Sequence, residues 1–436
     1  MSNSILKPVY SNTIANETFS ICDNESIRLK ISNNTYETTA QIEIRWLPSP
    51  RLIIKCSLKS FPFKINSDKL LEYFIEFKEN SVFIPVTALE KKILTTNEAH
   101  FTFAPKRPIV DSPHTPNLSR LVFHLPNFPY LHGQGRGKII LSAGGWMIQI
   151  QPVNNHEELI KELKKAGGFA ITYVGEISKL DNSSFSSTEV LELMNALDYF
   201  FSFSRGFWTP AILPVGYNKY DKIIWQQWGV KHIDSWQYVL SWFDEFEKGT
   251  LPNIFPEFLR KWNIAEWQLI LRSSIYWYLL SNTQGGKTDG SVVLIQTGLE
   301  NFSWSFYMTI KKNISKTSFK KLGAAGQIEK LLIDANIPTT VPDELSYLKN
   351  VAIKQNWNGP TTFTGIRNAI VHPDNSNRDT LSSSRPITEG WLLGNWYIEL
   401  ILLYHLSYNG KYANRMILSR FSGVTKEVPW TISEKQ

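Results

Sequence analysis

The sequence predicts a multidomain α+β protein. An N-terminal antiparallel β sandwich or barrel-like domain is expected over 1–152, a small α/β module over 153–250, an all-α helical bundle over 256–425 and a tail over 426–436. Three observations predict this. The first third of the chain alternates apolar and polar residues with period two, the part after Pro256 repeats apolar residues every three to four positions, and 436 residues exceed what one compact core accommodates.

In the first region Ile27, Leu29 and Ile31 alternate with Arg28 and Lys30, and Ile42, Ile44 and Trp46 alternate with Glu43 and Arg45. Trp146, Ile148 and Ile150 repeat the pattern, and Asn-, Ser- and Pro-rich turns separate the runs. Such alternation describes strands with one buried and one solvated face. In the second region "HEELIKELKKAGG" reads as an amphipathic helix stopped by Gly167 and Gly168. "FAITYVGEI" reads as a buried strand. In "FSSTEVLELMNALDYFFSF", Ser186 and Glu189 fit a capping box, and Phe185 with Val190 fits the accompanying hydrophobic staple. The tryptophans of "IIWQQWGVKHIDSWQYVLSWF" suit either base stacking or packing, and packing is preferred.

The third region is helical throughout. "FPEFLRKWNIAEWQLILRSSIYWYLLSN" is expected as one long helix and "SVVLIQTGLENFSWSFYMTIKK" as a second. "SFKKLGAAGQIEKLLIDANIP", "PDELSYLKNVAIKQ" and "TTFTGIRNAIV" follow as shorter ones, and "ITEGWLLGNWYIELILLYHLSYNG" closes the set. Short connections favour antiparallel neighbours.

Composition narrows the function classes. Hydrophobic residues make up 42% and charged residues 19%, which excludes a disordered chain. No apolar run is long enough to cross a bilayer, and the N-terminal stretch lacks a basic-then-apolar layout, so a cytoplasmic protein without a membrane partner is expected. Cys22 and Cys56 are too few for a disulfide framework. The net charge of +7 is concentrated after Pro256, where 20 Lys and Arg face 14 Asp and Glu, a bias that suits a polyanionic partner.

Several motifs fail. Gly286-Lys287-Thr288 ends like a phosphate-binding loop, but Ser281 stands where the leading glycine belongs, and the segment joins helix to helix. "HGQGRGKII" leads into a strand rather than a helix. His100, His114, His124 and His132 have neither nearby cysteines nor i,i+4 pairing, so no metal and no cofactor are expected. Arg107 and His114 stand close in sequence, but two prolines and an aspartate between them deny a helix.

"RNAIVHP" is different. Asn368 and His372 sit at i,i+4 on one helical face, whereas Arg367 is about 140° away from His372 on an ideal helix. Pro373 disfavours helical backbone at His372, so the helix should release the histidine into the next loop, where the long arginine can share its pocket. A bland alternative is a helix end whose histidine caps the terminus while the arginine pairs with a carboxylate.

An arginine, a polar residue and a histidine at this spacing resemble the HEPN family of helical-bundle ribonucleases and nucleotide-binding domains. "VLIQTGLENF" and "LSYNGKYANR" resemble flanking segments of its ApeA-type branch, which is linked to anti-phage defence. The resemblance covers about 256–425. The strand-rich start and the central region are similar to parts of ApeA-type proteins and of phage YopA-like proteins.

The resemblance implies a metal-independent endoribonuclease in which a ribose 2′-hydroxyl attacks the adjacent phosphate and leaves a cyclic phosphate. His372 would exchange protons, Arg367 would hold the phosphorane oxygens, and Asn368 would orient one or the other. Glu300 and Arg415 would support the site from neighbouring segments. Lys311, Lys312, Lys316, Lys320 and Lys321 would flank the RNA, although a lysine run is more often a solvated helix end. The family's sites form between two bundles, which implies a homodimer. The setting implied is abortive infection, anti-phage defence or toxin action, with a phage-derived trigger sensed by the N-terminal domains. Two alternatives are a non-catalytic nucleotide-, RNA- or protein-binding module and an antitoxin-like partner of a nucleotidyltransferase.

Overall fold

A computed structural model describes residues 6–12, 14–59, 71–77, 82–94, 98–111, 117–132, 137–283, 289–372, 385–417 and 423–431. Its first element is a closed six-stranded barrel made of β1 (Phe19–Ile31), β2 (Asn34–Arg45), β3 (Arg51–Lys59), β4 (Tyr73–Phe77), β5 (Ile84–Ile93) and β6 (Glu98–Pro105) in the order β1-β2-β3-β6-β5-β4. Pairing of β4 with β1 closes it and removes the open edges. The alternation decides which side chains enter: Ile27, Leu29, Ile31, Ile42, Ile44 and Trp46 are all buried. Glu43 departs from the pattern and is buried on the outer side, where Lys55 at 2.7 Å and Arg45 at 3.3 Å neutralise it.

The next strands are β7 (Ile109–Asp111), the short β8 (Asn117–Leu118), β9 (Arg120–Pro126), β10 (Ile139–Ala143), β11 (Trp146–Pro152), β12 (Ile171–Lys179), the short β13 (Phe185–Ser186), β14 (Ile212–Tyr217) and β15 (Ile223–Trp228). Seven of them make one sheet in the order β10-β11-β12-β9-β14-β15-β7, and β8 pairs with β13 beside it. The sheet runs across the division expected at 152, because β11 pairs with β12 from Trp146 opposite Lys179 to Pro152 opposite Tyr173. Two connecting helices, α1 (His156–Ala166) and α2 (Ser187–Arg205), belong to this layer.

One sheet face shares a core with the barrel and α1 through Ile171, Ile212, Val215 and Trp228. The other face, with Phe123, Ile148, Tyr173 and Ile177, shares a core with α2 and the helices that follow. The layers are therefore barrel, sheet and helices, and both sheet faces are apolar because both are covered. Trp225, Trp228 and Trp242 are buried in these two cores, as the packing reading of the aromatic segment expects.

The helical region begins earlier than Pro256. The segment expected as one long helix is two, α3 (Thr250–Trp262) and α4 (Ala265–Thr283), broken at Asn263 and Ile264. The break lets α3 lie on β10 while α4 enters the bundle. The remaining helices are α5 (Gly290–Ser305), which continues into a π-helical turn over Phe306–Lys311, α6 (Lys316–Lys321), α7 (Gly323–Asp334), α8 (Ser346–Gln355), α9 (Gly359–Val371) and α10 (Arg385–His405). Two short strands, β16 (Lys411–Tyr412) and β17 (Lys426–Glu427), fasten the end of the chain.

Side-chain contacts fix the helix directions. Ser281 Oγ donates to Ser291 O at 2.9 Å while Gly298 abuts Trp277, so α4 and α5 are antiparallel. Tyr278 reaches Glu399 and Trp391 reaches Ser281, so α4 and α10 are antiparallel. Gly394 meets Phe363 and Ile295, and Gly390 meets Ile366, so α9 runs against both α10 and α5. No helix among the described residues is long and apolar enough to cross a membrane.

Candidate active site

Helix α9 positions the arginine and the histidine. Its start is fixed by Asn358, whose side chain accepts the Thr361 N–H at 2.9 Å, and by Pro360 in the first turn. Gly359 is required here: a Cβ would fall 2.1 Å from Tyr397 Oη and 2.8 Å from Thr339 O. Phe363, Ile366 and Ala369 recur every three residues and are buried, which holds the helix against α5 and α10.

The helix ends at Val371. His372 has φ −122° and ψ 81°, outside the helical region, while its N–H still donates to Asn368 O at 2.9 Å. The histidine thus leaves the helix, as the sequence expects, and is exposed; among the described residues no hydrogen bond joins it to Arg367, so the expected shared pocket is not formed by direct contact. Pro373, on which that expectation rested, lies outside the described residues, as do the Gly286-Lys287-Thr288 motif and His114. One turn back, Arg367 Nη1 donates to Asn368 Oδ1 at 3.3 Å. Arg367 Nε is buried without a hydrogen bond, and among the described residues no carboxylate lies within 4.0 Å of this side chain. Among the described residues the arginine is thus joined to the exposed amide of Asn368 and to no carboxylate, and the exposed imidazole of His372 ends the same helix.

The other expected site residues lie elsewhere. Glu300 accepts a hydrogen bond from Gln296 Nε2 at 2.7 Å, one turn back on its own helix, and makes no ion pair with Arg367. The antiparallel packing explains this, since Ile295 faces Phe363, Glu300 is five residues past that contact and Arg367 is four past it the other way. They stand roughly 13 Å apart along the helix axes. Arg415 is fully buried and spent on Glu399, with Nε to Oε2 at 2.8 Å and Nη2 to Oε1 at 2.5 Å, and it also faces Asn282 Oδ1 at 3.4 Å. Sequence reasoning missed Glu399, although one carboxylate inside the apolar run "WYIELILLYH" is a signal that a buried cation must answer it.

The lysines surround the π-helical turn and α6 and are exposed. Lys311 pairs with Asp334 at 2.7 Å, and Lys316 lies 5.6 Å from the centre of a Trp304 ring. Lys320 and Lys321 occupy the last turn of α6, where cations suit the helix dipole. Lys312 takes the left-handed conformation that ends the turn, with φ 49°.

Taken together, the described residues make a mixed α+β chain with a histidine-terminated helix on its C-terminal helical layer. The chain is similar to phage proteins over both of its later parts. Residues 264–426 match the family described as the YopA C-terminal domain, and residues 114–239 match the YopA central domain. The SPbeta prophage-derived uncharacterized protein YopA of Bacillus subtilis (strain 168) is 28% identical over 423 residues, covering 92% of this chain and 93% of the relative. No solved structure matches the chain. The central match begins close to β8 and ends past β15, so it takes in every strand of the seven-stranded sheet except β7.

Proposed function

We propose that the chain is a metal-independent endoribonuclease of the HEPN type, acting in the cytoplasm as a homodimer in abortive infection, anti-phage defence or toxin action. The observation that carries the reading is the end of α9: an exposed histidine released from helical backbone, near an arginine that no carboxylate among the described residues neutralises. In the proposed reaction the 2′-oxygen of a ribose bonds to the adjacent phosphorus as its proton leaves. The bond to the 5′-oxygen breaks as that oxygen takes a proton, giving a 2′,3′-cyclic phosphate and a 5′-hydroxyl. His372 carries one of these protons, and Arg367 holds the charge that collects on the phosphorane oxygens. The prophage origin of the relative suits a role in conflict between phages and cells.

The test is cleavage of a labelled RNA by the purified protein and by His372→Ala, each with and without EDTA. Equal cleavage by the two proteins removes His372 from the mechanism, and loss of activity in EDTA removes the metal-free chemistry. One observation favours a second reading, a binding module without catalysis: Arg367 Nη1 bonds to Asn368, so the basic group is held by its neighbour rather than by the histidine. That reading predicts RNA retention lost in Arg367→Ala with no cleavage by either protein.

A further inference from the structure

We propose that the cleft between α1, the C-terminal end of α2 and the irregular segment 236–245 binds a nucleotide bearing a terminal phosphate. The cleft measures about 810 Å³, within the size range of small-molecule sites, and it is separate from the α9 helix end. It stands independently of the nuclease reading.

Arg205 is the first reason. It lies in the cleft wall, and among the described residues no carboxylate oxygen comes within 4.0 Å of it. Among the described residues its hydrogen bonds are two long ones to backbone carbonyls, from Nε to Asn127 O at 3.3 Å and from Nη2 to Gln237 O at 3.4 Å. The guanidinium is instead held between rings, 4.2 Å from the centre of Phe207 and 4.7 Å from that of Trp236. Burial lowers its pKa, and the charge of Glu245 across the same cleft opposes that without a carboxylate touching the guanidinium; a desolvated planar fork of donors at the wall of an open cleft fits a phosphate. Lys164, exposed on α1, adds a second cation to the same wall.

Aromatic surface is the second reason. Tyr130, Trp236 and Phe243 line the cleft, and Tyr238 stands at it 82% exposed with no packing of its own to explain it. Rings of this kind take the faces of a nucleobase. The carboxylates present are compatible with a base. Asp244 is already engaged, accepting from the Phe246 N–H at 2.9 Å and the Gly423 N–H at 2.8 Å. Glu157 and Glu245 complete the acidic lining, and carboxylates are acceptors for the amino groups of bases. An adjoining cleft of about 560 Å³ shares His132, Phe243 and Glu245 and brings Lys138 and Lys248 to its rim.

The experiment titrates the full chain with the four ribonucleoside 5′-monophosphates, following tryptophan fluorescence and heat. Inorganic phosphate, the nucleosides and a 5′-phosphorylated hexanucleotide serve as comparisons. At least one nucleotide should bind about tenfold or more tighter than either of its fragments, since a charged hydrogen bond adds roughly that much. Arg205→Gln should weaken it by a similar factor. Lys164→Ala and Tyr238→Ala, both exposed and safe for folding, should each weaken it several-fold, while His372→Ala should leave it unchanged. Tighter binding of the hexanucleotide assigns the site to an RNA end, and equal or weaker binding assigns it to free nucleotide. Binding of phosphate or nucleoside alone as tight as the nucleotide overturns the proposal, as does no binding at millimolar nucleotide.

Discussion

Arg415 and Glu399 face each other with both side chains wholly removed from solvent, joined by two hydrogen bonds of 2.8 and 2.5 Å. Around them Tyr278 donates to Glu399 at 2.8 Å, and Asn282 donates to Leu240 O at 2.7 Å and Gly206 O at 2.9 Å while its Oδ1 faces Arg415. The pair ties the chain end and α10 to the segment that follows the sheet. Breaking it by Arg415→Met leaves a carboxylate buried without a cation, so a loss of about 3–5 kcal/mol is expected in urea unfolding. Adding Glu399→Leu should recover part of the loss. A single variant within about 1 kcal/mol of wild type would show that the pair is dispensable.

Much of this architecture was legible in the sequence. The period-two runs at Ile27 and Ile42 placed barrel strands, and Ser186 with Glu189 marked a helix start now seen as a capping box with Glu189 N to Ser186 Oγ at 3.2 Å. These features are local, so neighbouring residues carry them. What was not legible depends on distant partners. The pairing of β11 with β12 and the partner of Arg415 are set by how layers meet, and so is the direction of α5 against α9, which carries Glu300 away from Arg367. The release of His372 was readable because its cause lies one residue away in sequence.

A second prediction separates chemistry from stability at the end of α9. His372 and Asn368 are exposed, so His372→Ala should leave the melting temperature within about 1 °C of wild type. If the proposed proton transfer operates, the same change should lower RNA cleavage by about 10²–10⁴-fold. Arg367→Lys keeps the charge but removes the planar fork, and a loss greater than about tenfold is expected from it. A melting temperature that falls with activity in His372→Ala would trace the loss to folding instead.

Acid should loosen the segment around Val9 and Tyr10, which bonds to His124. His124 is wholly buried; its Nε2 accepts from the Val9 and Tyr10 N–H groups, each at 3.1 Å, and its Nδ1 sits 3.2 Å from Leu213 O. Only the neutral ring can accept those two bonds, and burial lowers its pKa from 6.5 to about 4. The sign follows: the folded state resists protonation, so this contribution is complete above pH 6.5 and is lost as pH falls through about 4. The span corresponds to on the order of 3 kcal/mol. His156, buried, and His405, half-buried among aromatic rings, are also shifted down and act in the same direction. Protection of the Val9 and Tyr10 amides, measured as exchange relative to the intrinsic rate at each pH, should fall between pH 6 and 4, roughly in step with the unfolding free energy. His124→Gln keeps an acceptor that does not titrate and should flatten that part of the profile, and an unchanged profile would assign the acid effect elsewhere.

The last prediction concerns the middle of the sheet. Gly175 on β12 stands opposite Phe123 on β9, and a Cβ at Gly175 would lie 2.1 Å from one atom of that ring. The glycine is therefore needed for space, since its backbone is an ordinary strand. Gly175→Ala forces the ring out of a close-packed core and should cost about 1–3 kcal/mol or more. Phe123→Leu makes room at the price of a smaller side chain in the core. If the clash is the cause, the double variant should be more stable than the sum of the single losses predicts, with a coupling of about 1 kcal/mol or more. Simple additivity in thermal unfolding would show instead that the strand, and not the ring, rejects the methyl group.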